Sequence, residues 1–98
     1  MAHRVAPSAA TDLDDIWFYI ASGSGNTELA DRFVDSVTAR FCLLADHPRI
    51  GRERPELRAG LRSYPAGDYV IFYRLEGPDV VILRVLHSRR DIRALLGS

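Results

Sequence analysis

The chain has 98 residues, 47% of them hydrophobic, and its 13 basic residues are all arginine, balanced by 13 acidic residues. A chain of this length buries one hydrophobic core and not two, so we expect a single domain over residues 1–98. It contains neither the roughly 18 consecutive apolar residues that span a membrane nor the apolar segment of a secretory signal, so a cytoplasmic protein without membrane contact is expected. The absence of lysine excludes mechanisms that need a catalytic lysine. The single Cys42 excludes an internal disulfide, and we expect it to be buried.

Charge is distributed unevenly along the chain. Residues 1–48 contain three arginines and seven acidic residues, a net charge of −4, whereas residues 49–98 contain ten arginines and six acidic residues, a net charge of +4. The two halves should therefore present opposite electrostatic surfaces. Exclusive use of arginine could serve bidentate recognition of phosphate or carboxylate, but the codon bias of a GC-rich genome is the favoured explanation.

The first half of the chain predicts a short strand followed by a helical hairpin. The strand is "HRVAP", ended by Pro7, and Ser8 is the expected N-cap of the first helix. Its apolar stripe at helical spacing consists of Leu13, Ile16, Trp17, Ile20 and Ala21. The turn "SGSGN" follows, with Asn26 as cap of a second helix that ends before Pro48.

The second half predicts an irregular basic loop, an antiparallel meander and a short helix. The loop covers residues 49–60, and the three strands, of period two, are "LRSYP", "YVIFYRL" and "VVILRVL". "AGD" and "EGPD" have turn compositions, and "SRRDIRALLGS" fits one or two helical turns. The order β-α-α-β-β-β-α predicts an α+β fold in which an N-terminal helical hairpin packs on a small antiparallel β-sheet.

Pairing Leu75 with Val80 and Tyr64 with Tyr69 divides the strand residues between two faces. The face expected to receive the helices carries Leu61, Val70, Phe72, Val81, Leu83 and Val85. The outer face then carries Arg62, Tyr64, Tyr69, Tyr73 and Arg84, with Arg62, Ile71 and Arg84 in one row. Such an outer face could bind RNA or a protein partner, or could simply be solvated. A slip of one residue in register would exchange the two faces.

The segment after the last strand contains a candidate acid–base group. His87 could act as a general base, because histidine titrates near neutral pH, or it could form a local hydrogen bond at the start of the last helix. Arg89, Arg90 and Asp91 could form a phosphate clamp or a salt-bridged corner. The spacing of the three histidines offers no ligand cluster, and the chain lacks a glycine-rich phosphate loop, so neither metal nor cofactor is expected.

Four segments together resemble the RelE/ParE toxin superfamily, specifically its ParE-like branch. They are "PSAATDLDDIWFYIA", "RFVDSVTARFCLLADHPRIGRERPEL", "GLRSYPAGDYVIFYRL" and "VVILRVLHSRRDIRALL", and they cover nearly the whole chain in order. The resemblance implies the toxin of a type II toxin–antitoxin pair, encoded beside an antitoxin that binds and silences it.

The superfamily implies two possible activities. RelE-like members are ribosome-dependent mRNA endoribonucleases that use basic side chains on the sheet, whereas ParE-like members are associated with poisoning of DNA gyrase. Val70 stands where RelE-like proteins often carry arginine, and no aromatic residue follows Tyr73. These departures favour a gyrase inhibitor that is not an enzyme. In the nuclease alternative the site would consist of Arg62, Arg84, His87 and Arg89; a third alternative is a partner-binding module without toxicity.

The resemblance also implies a ParD-like or similar antitoxin whose disordered segment folds on binding. We expect its apolar anchors near Trp17, Ile20 and Phe33, although Trp17 is expected to lie more in the core than at the surface. Its acidic residues are expected near Arg62 and Arg84. The remaining residues predicted to bind partners are Tyr64, Tyr73, Arg89 and Arg90.

Overall fold

The fold consists of two long helices packed on a five-stranded sheet, in a computed structural model that describes residues 2–96. The elements are β1 (His3–Val5), α1 (Pro7–Ser24), α2 (Thr27–Asp46), β2 (Arg52–Glu53), β3 (Leu61–Ala66), β4 (Tyr69–Glu76), β5 (Asp79–His87) and α3 (Ile92–Leu95). The sheet order is β1-β5-β4-β3-β2. The predicted α+β class and the helical hairpin on one face of the sheet are confirmed.

The sheet differs from the prediction in two respects. It is mixed rather than antiparallel, because β1 runs parallel to β5 with His3 opposite Val80. The chain between these two strands contains the helical hairpin and β2 to β4, far more than the dozen residues that connect a parallel pair. In addition, the predicted loop 49–60 contains β2, which pairs with β3 through Arg52 and Ser63.

The helix ends follow local sequence signals. α1 begins at Pro7 with Ala6 as its N-cap, so the expected cap at Ser8 is wrong; proline suits the first helical position because that N–H has no intrahelical partner. Asn26 caps α2 as predicted, its Oδ1 accepting from the Leu29 N–H at 3.1 Å. The expected burial of Cys42 is also wrong, because this residue of α2 is exposed. Within residues 2–96, neither long helix is apolar enough to cross a membrane.

The strand register moves Arg84 away from its predicted row. Leu75 lies opposite Val80 as expected, but β3 pairs with β4 two residues away from the predicted register, with Tyr64 opposite Ile71. A bulge then interrupts the pairing of β4 with β5 and places Arg84 opposite Phe72. A bulge adds one residue to one strand, so side chains beyond it change face relative to a regular ladder. The predicted row of Arg62, Ile71 and Arg84 is therefore wrong.

The helical hairpin packs on the opposite face of β3 and β4 from the one predicted, whereas Val85, beyond the bulge, contributes to the hairpin core as predicted. Its core contains Ile16, Val37, Phe41, Leu44, Ile71, Tyr73, Val80, Ile82 and Val85. The other face carries a smaller cluster of Leu61, Phe72, Leu86 and Leu96, against which Ile92 and Leu95 pack. Tyr73 is 0% exposed, so its assignment to a solvated face is wrong. Both faces of β4 are apolar, which is why alternation alone did not show which one receives the hairpin.

Candidate functional site

A groove of about 500 Å³ lies between α1 and the end of β5. It forms because β1 pairs with β5 only as far as Ile82, which leaves the remainder of β5 as a sheet edge beside α1. The groove is lined by Asp12, Asp15, Ile16, Tyr19, Tyr69, Arg84, Val85, Leu86, His87 and Arg90. It therefore brings together three of the predicted site residues, Arg84, His87 and Arg90.

Arg84 joins α1, β5 and α3 through its guanidinium group. Its Nε and Nη2 donate to the two carboxylate oxygens of Asp12 at 2.8 and 2.9 Å, and its Nη1 donates to the Leu95 carbonyl at 3.1 Å. The hydrogen bond to Asp12 raises the pKa of Arg84, while partial burial opposes that rise. The arginine within the apolar strand thus connects α1 and α3, with three of its five N–H groups bonded inside the protein.

Asp12 also completes the hydrogen bonding of the sheet edge. It is 8% exposed, and its Oδ2 accepts from the Val85 N–H at 2.9 Å where β1 no longer covers β5. This role of Asp12 was not predicted from the sequence. The sequence does contain a signal for a buried carboxylate in α1. Asp12, Ile16 and Ile20 are spaced four residues apart, so Asp12 lies in the apolar stripe of the helix. A buried carboxylate requires a cation or several donors.

His87 forms the local hydrogen bond proposed as its structural role. Its Nδ1 accepts from the Arg89 N–H at 3.1 Å, and its ring stands edge-on to Tyr69 with 5.1 Å between centroids. A ring whose Nδ1 is an acceptor carries its proton on Nε2 when neutral. Nε2 is then a donor, and proton abstraction by His87 would require loss of the bond to Arg89.

Arg62 lies in β3, on the far side of β4 from β5 and this groove. Its Nη1 donates to the carbonyls of Gly51 and Arg49 at 2.8 and 3.3 Å, so it holds the segment after α2. Arg62 is opposite Tyr73, whereas His87 is opposite Tyr69. Four residues along an extended strand correspond to about 13 Å. The four residues of the nuclease alternative are therefore not assembled at one place.

Tyr73 fixes the same segment from within the core. Its hydroxyl donates to the Pro48 carbonyl at 2.8 Å and accepts from the Gly51 N–H at 2.9 Å. Burial raises the pKa of Tyr73 above its ordinary value, and a tyrosine hydroxyl is already protonated and able to donate at neutral pH. With its ring enclosed and both hydroxyl bonds internal, Tyr73 is not available to a partner.

The other residues predicted to bind partners are more accessible. Trp17 is half-buried rather than in the core, and its Nε1 donates to Asp31 Oδ1 at 2.7 Å. Ile20 and Phe33 are also half-buried and pack against the main core. The same cluster includes half-buried Tyr64, whereas Arg89 and Arg90 are exposed. Among residues 2–96 no group of three or more His, Cys, Asp or Glu side chains could hold a metal ion.

Comparison with known proteins identifies the family. The family described as ParE toxin of type II toxin-antitoxin system, parDE, matches residues 4–92. Toxin ParE1 of Caulobacter vibrioides is 40% identical over 95 residues, covering 97% of each chain, and Toxin ParE1 of Mycobacterium tuberculosis is 33% identical over 91 residues, covering 92% of each. Toxin RelE3 of C. vibrioides is 32% identical over 86 residues, covering 87% of this chain and 91% of its own.

A solved structure supports the same assignment. It is described as the chromosomal ParDE TA system from P. aeruginosa, and the match covers 89% of this chain and 95% of that chain with a TM-score of 0.78 and 25% identity. The matched segment 4–92 contains both the helical hairpin and the whole sheet except the first residue of β1. The resemblance found in the sequence is thus confirmed, and the chain belongs to the ParE toxin family of type II toxin–antitoxin systems.

Proposed function

We propose that the protein acts as a toxin by inhibiting DNA gyrase and that a co-encoded antitoxin neutralises it. The observation that carries the choice of gyrase over RNA cleavage is the bonding of Arg84 to Asp12 and Leu95. A nuclease would need this guanidinium to stabilise charge on a scissile phosphate, but here three of its five N–H groups already have internal acceptors. Membership of the ParE family supports the same choice.

The test of this proposal is the supercoiling activity of purified gyrase, measured with and without the protein. We expect inhibition that rises with toxin concentration and disappears when the toxin is first mixed with its antitoxin. Retained supercoiling at saturating toxin, with no trapped cleavage complex, would contradict the proposal. Cleavage of mRNA on purified ribosomes, measured in parallel, would instead establish the nuclease.

Ribosome-dependent mRNA cleavage is the second candidate, favoured by the content of the groove beside α1. His87, Tyr69 and Arg90 line it together, and such side chains could contact a ribose, a base and a phosphate. The similarity to Toxin RelE3 keeps this activity relevant. In this alternative the acting groups would come from Arg84, His87 and Arg89, with Arg62 apart from them.

Replacing His87 with alanine separates a catalytic role from a structural one. We expect growth inhibition within about twofold of wild type and a loss of roughly 1 kcal/mol in unfolding free energy, since the variant loses one hydrogen bond and the ring contact with Tyr69. Growth after induction without antitoxin and urea unfolding provide the two readouts. His47→Ala, at an exposed position, is the matched control. Abolished toxicity in a stable variant that still binds antitoxin would instead assign His87 to catalysis.

For the antitoxin, the accessible residues support a segment that folds on the toxin. Apolar helical anchors would contact the half-buried Trp17, Ile20 and Phe33, as coupled folding and helix-in-groove recognition require. Acidic residues would approach Arg89 and Arg90, which are exposed in the basic half of the chain. The earlier choice of Arg62 and Arg84 is less suitable, because both are bonded inside the protein.

Reversing the charge at both exposed arginines, with the double variant Arg89→Glu and Arg90→Glu, should slow association of the antitoxin about tenfold at low ionic strength. The association rate should fall much less at high salt. Long-range charge attraction acts mainly on the association rate and is screened by ions. Stopped-flow mixing at two salt concentrations measures the effect. Arg32→Glu, an exposed reversal in the acidic half, should change the rate less. A rate that is unchanged at both salt concentrations would remove Arg89 and Arg90 from the interface.

A further inference from the structure

The outward side of α1 carries two large aromatic residues in water. Phe18 and Tyr19 are 69% and 75% exposed, the two most exposed of the large hydrophobic side chains in residues 2–96. They belong to a stripe of exposed residues at helical spacing, which we call the outer stripe of α1: Thr11, Asp14, Asp15, Phe18, Tyr19 and Ser22. The helix buries its opposite side through Ile16, so packing of this domain does not explain the two aromatic rings.

The outer stripe has the properties of a binding surface. Aromatic side chains are enriched among the residues that dominate binding energy, and they lose little conformational entropy on association. A shallow hollow beside them is lined by Asp15, Phe18, Tyr19, Ser22 and Gly23. The stripe also adjoins the groove between α1 and β5, since Asp15 and Tyr19 line both.

The backbone that carries the stripe is held firmly. α1 has 18 residues, and Asp12 ties it to Arg84 and to the edge of β5 through three hydrogen bonds. A surface built on a rigid helix needs little ordering when a partner binds, which favours affinity. The two aromatic rings are therefore presented at a fixed position relative to the sheet.

The charge of the stripe indicates what kind of partner fits it. Asp14 and Asp15 are exposed, and neither takes part in an ion pair within residues 2–96. The stripe contains no basic residue. An acidic antitoxin segment of the kind proposed for Arg89 and Arg90 would be repelled here, whereas a positively charged surface would be attracted.

We propose that the outer stripe of α1 is the surface with which the toxin engages its target, a basic protein surface with an apolar recess for Phe18 and Tyr19. This inference rests on the proposed function, because an enzyme that handles DNA must present basic surfaces to neutralise phosphates. The partner of the outer stripe is thus the DNA-binding surface of gyrase. The proposed antitoxin contacts on α1, Trp17 and Ile20, are half-buried residues that adjoin the outer stripe without belonging to it.

The test combines two double variants with two binding partners. Phe18→Ala with Tyr19→Ala should raise the toxin concentration that gives half-inhibition of supercoiling at least tenfold and weaken antitoxin binding by a clearly smaller factor. Asp14→Lys with Asp15→Lys should weaken inhibition similarly at low salt and less at high salt. Leu29→Ala and Ile50→Ala remove exposed apolar side chains elsewhere and should leave both measurements unchanged. Thermal unfolding confirms that each variant is folded.

Each outcome separates this inference from the proposed function. Unchanged inhibition by the aromatic double variant overturns the inference, and so does a weakening of antitoxin binding equal to the weakening of inhibition. If wild-type toxin itself leaves gyrase active, the gyrase proposal fails. Growth of cells after induction of wild type and of the aromatic double variant then tests whether the stripe is a target surface. If cells that express the aromatic double variant are inhibited as strongly as cells that express wild type, the stripe is not a target surface. If those cells grow, the stripe engages a basic target other than gyrase. A wild-type protein that neither slows growth nor inhibits gyrase overturns both.

Discussion

Replacing Asp12 with alanine should lower the free energy of unfolding by about 3 kcal/mol. The carboxylate accepts two hydrogen bonds from Arg84 and one from the Val85 N–H, and it is almost entirely buried. Its removal leaves a partly buried guanidinium without its counterion and a strand N–H without an acceptor. Urea unfolding at neutral pH, with the midpoint and the slope fitted separately, measures the loss.

Asp14→Ala provides the control for this substitution. It removes the same group from the same helix at an exposed position and should change stability by less than about 0.5 kcal/mol. In a double-mutant cycle with Arg84→Ala, the combined loss should be smaller than the sum of the two single losses, because each variant breaks the same ion pair. Additive losses of unfolding free energy, or a loss below about 1 kcal/mol for Asp12→Ala, would show that the ion pair between Asp12 and Arg84 contributes little to stability.

The elements were predictable because their signals are local. Asn26 caps α2 through a hydrogen bond that spans three residues, and the "EGPD" turn brings Leu75 opposite Val80. The bond from Arg89 to His87 spans only two residues, so a local role for the histidine could also be inferred. In each case the sequence neighbours themselves supply the partners.

The faces of the sheet were not predictable by the same reasoning. Phe72 and Tyr73 are adjacent and both buried, one beneath the C-terminal segment and the other beneath the helical hairpin. Alternation identifies a sheet face only when one face is polar. The bulge that moves Arg84 has no unambiguous sequence signal, since the strand contains no glycine at that point.

The candidate site was only partly predictable, because its central contact is distant in sequence. Arg84 was predicted on an outer face beside Tyr73, whereas the structure bonds it to Asp12, which lies 72 residues earlier in α1. Phe18 and Tyr19 are exposed and do not belong to the apolar stripe predicted for α1. Their place outside that stripe was the sequence signal for a surface role. Residues that the core does not require are informative when they are large and apolar.

Gly51→Ala should destabilise the protein by about 2 to 3 kcal/mol, because the new methyl group has no room. A Cβ at this position would overlap the Tyr73 hydroxyl oxygen and lie 2.6 Å from Cε1 of the same ring. The ring cannot yield easily, since it is fully buried and its hydroxyl is bonded to Pro48 and Gly51. Displacement of the loop instead would also strain the bond from Arg62 to the Gly51 carbonyl.

Gly23→Ala is the matched control for Gly51→Ala, because a Cβ at Gly23 would meet no atom within 4 Å and the residue lies in α1. It should stabilise the protein by about 0.5 kcal/mol through better helix propensity, so the two glycine substitutions should have opposite signs. Chemical unfolding of both variants and of wild type measures the difference. Tyr73→Phe adds a specific check, since without the hydroxyl part of the overlap is relieved and Gly51→Ala should cost less in that background. Equal costs in both backgrounds would mean that the destabilisation arises from the loop backbone and not from contact with Tyr73.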